Sequence, residues 1–435
     1  MPFGTVCTPG GWCGRVKALH PNGGSVADVF NGATLMLRQR RNIMVYPHEP
    51  PQRNSFKEGA TLIPSLALTM HRSGNKVVPL RKGLTIATDA AVRQAAARFS
   101  VFLSNYNHAR FLARALDAIL QQSVQPREIC LIDDGSTDGS AAIIDNYASR
   151  HSHIRPVKHA QNRGVMVNLS EWLAANDDEF VYMAAADDVI LPGLFEKSLA
   201  MLCRFPLAGV CTASSLLMSV EGENKGRIAT HAPCDVPCYI PPEAAKRILM
   251  RHDGWFMGNT AVYRRSALRR AGEFDVKLGG FADGFACRVI AAMQGACYLP
   301  ETLAYWRRSP DGMAGRMVSD PEVSRAVAER AAVLIRGRLR EVFSRGYEER
   351  LRRRLLYQGA LAAMAWNDRS RSHLEILLRP LSAVDRASIA LTNKLPFGRR
   401  WFMTSYLALR LRPLDVLDRF GLALRGASPP GRRLT

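Results

Sequence analysis

Long apolar runs are missing: no segment of the 435-residue chain approaches the roughly eighteen uninterrupted apolar residues that a membrane-crossing helix needs. The opening Met-Pro-Phe-Gly-Thr also lacks the basic flank and apolar core of a secretory signal, so the expectation is a chain that neither spans a membrane nor is exported. Cysteine is absent from the patterns that bind metal. The nine residues, at 7, 13, 130, 203, 211, 234, 238, 287 and 297, form no CxxC unit, and Cys234 and Cys238 have no His pair nearby. That argues against zinc and for thiols buried as small hydrophobes in a reducing cytosol. The C-terminal part has few aromatics and no RNA-binding sheet signature, so specific nucleic-acid recognition is not expected.

Acidic residues are outnumbered, 38 against 59 Lys and Arg, for a formal charge of +21. Residues 321–435 hold 23 of the basic and 10 of the acidic side chains, or +13 of that total. The excess therefore belongs mostly to the tail, where an anionic partner such as a membrane surface or nucleic acid is expected. With 47% apolar and 22% charged residues the composition is globular, and the length suits one large domain with appendages, or two domains.

Three regions differ in texture. Residues 1–95 are rich in Gly, Pro, Asn and Arg, with only Ala60 to Leu68 resembling a short apolar element. They read as a poorly ordered extension, or as a stretch translated from a wrongly chosen start with Met70 as the alternative. Residues 96–318 alternate strand, polar loop and helix. Phe99 to Leu103 runs into Ser104-Asn105-Tyr106-Asn107, and Phe111, Leu112, Ala115, Leu116 and Ile119 then recur at helical spacing. Ile129 to Ile132, Ile154 to Val157 and Phe180 to Met183 are further strands, and a helix begins near Pro192. This alternation predicts an α/β fold with a mostly parallel central sheet flanked by helices, its ligands lying beyond the carboxyl ends of the strands. Residues 319–435 read as a basic helical region. Val323, Val327, Ala331, Leu334 and Ile335 form one apolar stripe, and Leu355, Leu356, Leu361 and Met364 another.

Chemistry concentrates at two strand ends. Asp133-Asp134-Gly135-Ser136-Thr137-Asp138 follows one apolar run and Asp187-Asp188 another. Each string has an ordinary reading as turn and helix-cap residues. Adjacent carboxylates at the end of a buried strand nevertheless need donors or a cation, which a ribose, a base, or Mg²⁺ or Mn²⁺ on a diphosphate would supply. Asp283, among Gly279, Gly280 and Gly284, reads from its neighbours as the cap of a helix near Phe285, and only its place after the second acidic string points to chemistry. His108, His151, His153 and His159 lack metal-ligand spacing and read as solvated or packed. Trp306-Arg307-Arg308 follows the last strand-like run and is either structural or borders the diphosphate.

Around these residues the sequence resembles the inverting glycosyltransferases of family 2, which have the nucleotide-binding GT-A fold. The matching segments are Ser104-Asn105-Tyr106-Asn107, Asp133-Asp134-Gly135-Ser136-Thr137-Asp138-Gly139, Asn162-Arg163-Gly164 with Asn168, and Ala186-Asp187-Asp188 through Pro192. The likeness continues through Gly272-Glu273-Phe274-Asp275 and Asp283 to Tyr305-Trp306-Arg307, covering roughly Arg98 to Arg308. It implies transfer of a sugar from a nucleotide diphosphate to an acceptor hydroxyl with inversion. By that likeness Ser104, Asn105, Tyr106, Asn107 and Asp133 or Asp134 hold base and ribose, and Arg163 approaches the nucleotide. Asp187 or Asp188 binds the cation bridging the diphosphate, and Asp283 is the catalytic base.

Three positions depart from the pattern: Ser104 stands for the usual Pro, Ala185 for the first Asp of the metal motif, and Ala282 for an acidic neighbour of the base. No QxxRW signature appears near Trp306, which favours one sugar per acceptor over processive synthesis. The acceptor expected by analogy is a saccharide or a lipid-linked molecule in surface polysaccharide or glycolipid assembly, at the cytoplasmic face of a membrane. The competing readings are a nucleotidyltransferase and a non-catalytic adaptor on a degenerate transferase fold.

Overall fold

The computed structural model describes residues 4–7, 13–16, 76–80, 87–228, 232–307, 312–365, 370–394 and 398–417. The chain divides into two compact units. In the first, Met1–Leu62 with Leu434–Thr435, strands β1 (Gly4–Cys7) and β2 (Cys13–Val16) pair antiparallel. The Ala60 to Leu68 element, Arg308 and most of the expected N-terminal extension lie outside the described residues.

The second unit, Ile63–Arg433, begins with β3 (Val78–Pro79), α1 (Asp89–Ala96), β4 (Phe99–Asn105), α2 (Ala109–Leu120), β5 (Glu128–Asp133) and α3 (Ser140–Arg150). It continues with β6 (Ile154–Lys158), α4 (Val165–Ala175), β7 (Phe180–Ala185), β8 (Val189–Ile190), α5 (Leu194–Arg204), β9 (Val210–Met218) and β10 (Asn224–Ile228). Then follow β11 (Cys238–Ile240), α6 (Pro242–Arg251), β12 (Val262–Arg264), α7 (Arg265–Ala271), α8 (Ala282–Gln294) and β13 (Ala296–Arg307). Six helices complete it: α9 (Met313–Ser319), α10 (Pro321–Arg336), α11 (Tyr347–Ala365), α12 (Ser370–Leu377), α13 (Ala383–Lys394) and α14 (Arg399–Leu411).

One 11-stranded mixed sheet organises this unit, in the order β3-β11-β13-β9-β12-β7-β4-β5-β6, with β10 on β9 and β8 on β13. Strands β7, β4, β5 and β6 are mutually parallel, and β13 is parallel to β9, while β8, β10, β11 and β12 run against their neighbours. The continuous apolar runs of β4 and β5 are buried because helices cover both faces. The 3.6-residue period of α2 turns Leu112, Ala115, Leu116 and Ile119 inward. Register then fixes the site. Asn105 pairs with Asp133 and Ser104 with Ala185, so three polar loops leave the sheet at one edge.

The strand pairing also recruits residues upstream of the alternating region. Val78–Pro79 pairs with β11, and Thr88 caps α1, which buries Val92 and Ala95. Beyond Pro321, α10 buries Val327, Ala331, Leu334 and Ile335 as the stripe predicts, but leaves Val323 exposed. These helices are not a separate layer: Leu334, Tyr347, Leu351, Met403 and Leu407 share one core with Leu249, Trp255, Phe281 and Phe285. Cys130, Cys211, Cys287 and Cys297 are buried thiols as expected, with burial raising Cys130 to about 11. Cys234 and Cys238 differ from that reading, being joined by a disulfide.

Candidate functional site

Asn105 ends β4 fully buried, and its Nδ2 donates to Ser136 Oγ at 3.1 Å. The same hydroxyl accepts the Asn107 amide at 3.0 Å, and Asn107 Oδ1 accepts the Thr137 amide at 2.8 Å. Asp138 joins the two loops again, taking the Ala109 amide at 2.9 Å and the Ser140 amide at 3.0 Å. The turn and cap residues of the second loop thus lock the first, with Asn107 held at φ 55°. Tyr106 is left 42% exposed on this platform, its ring free to stack.

The two carboxylates that end β5 have different jobs. Asp134 is buried, and its oxygens accept the amides of Arg163 at 3.0 Å and Gly164 at 2.8 Å, with His159 Nδ1 at 2.9 Å. Burial alone would raise its pKa, but these hydrogen bonds together with Asn168 hold it below the usual carboxylate value. Asp134 therefore pins the Asn162-Arg163-Gly164 loop, and His159 is part of that pin rather than a solvated histidine. Asp133 is also buried, and among the described residues its side chain accepts only the Ser136 amide, at 3.3 Å. Its remaining lone pairs are available to a ligand. Arg163 Nη2 is paired with Glu171 on α4, and Asn168 Nδ2 donates to Ser104 Oγ at 3.4 Å.

At the end of β7, Asp188 Oδ1 accepts the Arg307 amide at 2.8 Å. Burial raises its pKa well above the ordinary carboxylate value, and the adjacent Asp187 charge adds to the rise. Asp187 is half-buried, and its carboxylate has no hydrogen-bond partner among the described residues. Arg307 is the stitch of this corner: its side chain donates to the carbonyls of Asp187 at 2.8 Å, Ser219 at 2.8 Å and Val220 at 2.5 Å, and lies over the Phe111 ring at 4.2 Å. The exposed Arg110 and Arg114 of α2 stand near it, and their charges oppose its own. A basic flank therefore faces the acidic pair.

Asp283 is the second residue of α8, whose cap position is Phe281, so it does not cap the helix. It is exposed to solvent, and desolvation by the protein packed around it raises its pKa. Its Oδ2 lies over Gly258, where a Cβ would come within 1.5 Å of it. The next residue, Asn259, donates Nδ2 to Ser215 Oγ at 3.4 Å, has its side chain beside Asp188, accepts Tyr182 Oη on its carbonyl at 2.8 Å, and leaves Oδ1 buried without a partner among the described residues. The turn Gly258–Thr260 thus touches both Asp283 and Asp188.

Sequence reasoning missed Gly258, Asn259, Arg110, Arg114 and the stitching role of Arg307. The only signal for the turn was Gly-Asn ahead of a short strand. Behind Asp283, Arg288 and Asp253 form a buried ion pair that is equally unmarked: Arg288 Nε meets Asp253 Oδ1 at 2.5 Å, and Nη1 donates to the Gly284 carbonyl at 2.6 Å.

The donor chemistry fits a hard divalent cation. Asp187 offers free oxygens and Asp188 a carboxylate that strongly favours a positive partner, while no cluster of three His, Cys, Asp or Glu suited to a metal exists among the described residues. Such a two-carboxylate set suits an ion that keeps water and diphosphate oxygens as its other ligands.

Comparison with known proteins agrees with this arrangement. Residues 100–272 match the family described as Glycosyl transferase family 2. The uncharacterized glycosyltransferase alr2836 of Nostoc sp. is 30% identical over 216 residues, covering 48% of this chain and 64% of its own length, so the chain spans less than two thirds of that relative. Among solved structures, the mannosyltransferase PcManGT from Pyrobaculum calidifontis, in complex with GDP-Man and Mn²⁺, is similar with a TM-score of 0.44 at 19% identity, covering 74% of this chain and 87% of that one. TarS 1-349 of S. aureus, in complex with UDP-GlcNAc, gives 0.45 at 15% identity over 74% and 92%. The match to glycosyl transferase family 2 thus spans the α/β strands and polar loops of residues 100–272.

Proposed function

We propose that the protein transfers a sugar from a nucleotide-diphosphate donor to an acceptor hydroxyl with inversion. The observation that carries the reading is the turn at Gly258–Thr260, which brings the acidic pair at the end of β7 and the carboxylate of Asp283 to one place. Asp133, Asn105 and Asn107 hold base and ribose, with Tyr106 as the stacking surface and Ser104 beside them. Asp134 and Arg163 act through the loop they shape. Asp187 and Asp188 would hold Mg²⁺ or Mn²⁺, which neutralises charge developing on the leaving diphosphate. Arg110 and Arg114 face the same charge.

Asp283 deprotonates the acceptor hydroxyl. Desolvation raises its pKa, which makes it a stronger base than a free carboxylate. Direct displacement needs no covalent nucleophile. The acceptor is a saccharide or lipid-linked molecule of surface polysaccharide or glycolipid assembly, at the inner face of a membrane.

The test is transfer from UDP- and GDP-sugars, with Asp283→Asn beside the native chain and the anomeric configuration of the product read by NMR. Retained nucleotide binding with abolished transfer is the expected result for the variant. Equal loss of binding and folding stability would show a structural carboxylate instead. Preference for a nucleoside triphosphate would replace the reading with nucleotidyl transfer.

A further inference from the structure

We propose that the outer arc of α14 docks the protein onto an anionic membrane leaflet. At 100° per residue, Met403, Leu407 and Leu411 fall on one side of this helix and are buried, while Trp401, Ser405 and Leu409 fall opposite. A soluble helix places polar residues on that outer arc. Here Trp401 is 81% exposed and Leu409 61%, followed along the chain by the exposed Leu414 and Leu417. The neighbouring α13 likewise exposes Val384 and Leu391.

Charge names the occupant. Between Arg379 and Leu417 the acidic residues are Asp385 and Asp415, and both are buried. Asp385 accepts Tyr406 Oη at 2.5 Å and Arg410 Nε at 3.1 Å, while Asp415 accepts Arg354 Nη2 at 2.9 Å and Arg412 Nε at 2.7 Å. The described surface of these helices therefore shows no carboxylate, whereas Arg386 and Arg400 are exposed. A tryptophan and aliphatic side chains flanked by uncompensated arginines suit the boundary between acyl chains and anionic headgroups. A second copy of the same cationic face would be repelled.

The docking concerns where the protein sits and holds whichever sugar is transferred. Its test is flotation of the full chain with vesicles of phosphatidylcholine alone and of an equimolar phosphatidylcholine–phosphatidylglycerol mixture. The native chain should float with the mixed vesicles only. Trp401→Ser with Leu409→Ser should lower partitioning on the order of tenfold per residue while leaving the melting temperature unchanged, since both side chains are exposed. Failure of the native chain to float with mixed vesicles overturns the proposal. So does equal flotation of the double variant, which would leave only bulk charge attraction. A concentration-dependent dimer that Trp401→Ser dissolves would make the second copy the occupant and also overturn it.

Discussion

Arg288→Met tests whether the C-terminal helices hold the Asp283 turn in place. The Arg288 guanidinium donates Nε to Asp253 Oδ1 at 2.5 Å, Nη2 to the Asp253 carbonyl at 2.6 Å and Nη1 to the Gly284 carbonyl at 2.6 Å. Asp253 also accepts Tyr347 Oη at 3.0 Å and lies 3.4 Å from Arg354 Nη1, which pairs in turn with Asp415. Methionine keeps most of the stem but leaves Asp253 buried with part of its charge uncompensated. Breaking a buried pair from one side costs about 3–5 kcal/mol. With an unfolding entropy of about 2.1 cal/mol/K per residue over the roughly 370 residues of the second unit, the melting temperature should fall by ~4–6 °C. Scanning calorimetry reads this directly. Arg288→Lys, which keeps charge but loses the fork, should lose less. Arg288→Met combined with Asp253→Leu should cost less than the two single changes together. A melting temperature within ~1 °C of the native chain, or strict additivity, would show that the pair does not brace this region.

Asp188→Asn should stabilise the metal-free protein at neutral pH. A carboxyl whose folded pKa is raised contributes its stability below its unfolded pKa and loses it as pH rises through the folded value, so the variant's advantage in melting temperature should grow as pH rises from about 4 towards and through that folded value. Mn²⁺ should then stabilise the native chain and not the variant. Gly258→Ala places a methyl against Asp283 Oδ2, the mobile end of a side chain, so melting should change little while kcat falls by about 10²-fold from the displaced base. Asp134→Ala frees the amides of Arg163 and Gly164 and should cost about 1–3 kcal/mol by urea titration at neutral pH. Because the Asp134 pKa is lowered, that cost should vanish as pH falls through its folded value.

The alternating apolar runs and polar loops made the parallel part of the sheet readable in advance, because a strand buried on both faces must be apolar throughout and must end in something polar. Asn105, Asp133 and Asp187 stand at or just past strand ends for that reason. Strand β9 was hidden because Ser214 and Ser215 lie in it, and their hydroxyls bond to Tyr298 Oη and the Ala304 carbonyl, contacts that no local pattern announces. The different duties of Asp133 and Asp134 could not be separated in sequence, since the amides that bind Asp134 arrive from about thirty residues away. Gly258 and Asn259 matter only through distant carboxylates. The Tyr347, Arg354 and Asp415 network joins helices whose registry is set by packing.

The proposed activity requires a cation-dependent nucleotide diphosphate site at the ends of β4, β5 and β7. Calorimetric titration with UDP and GDP, each with and without Mn²⁺, tests it on the native chain and on Asp187→Ala/Asp188→Ala. Binding of one nucleotide that requires Mn²⁺ and is lost in the double variant is the predicted result, and no binding under any condition would contradict the account.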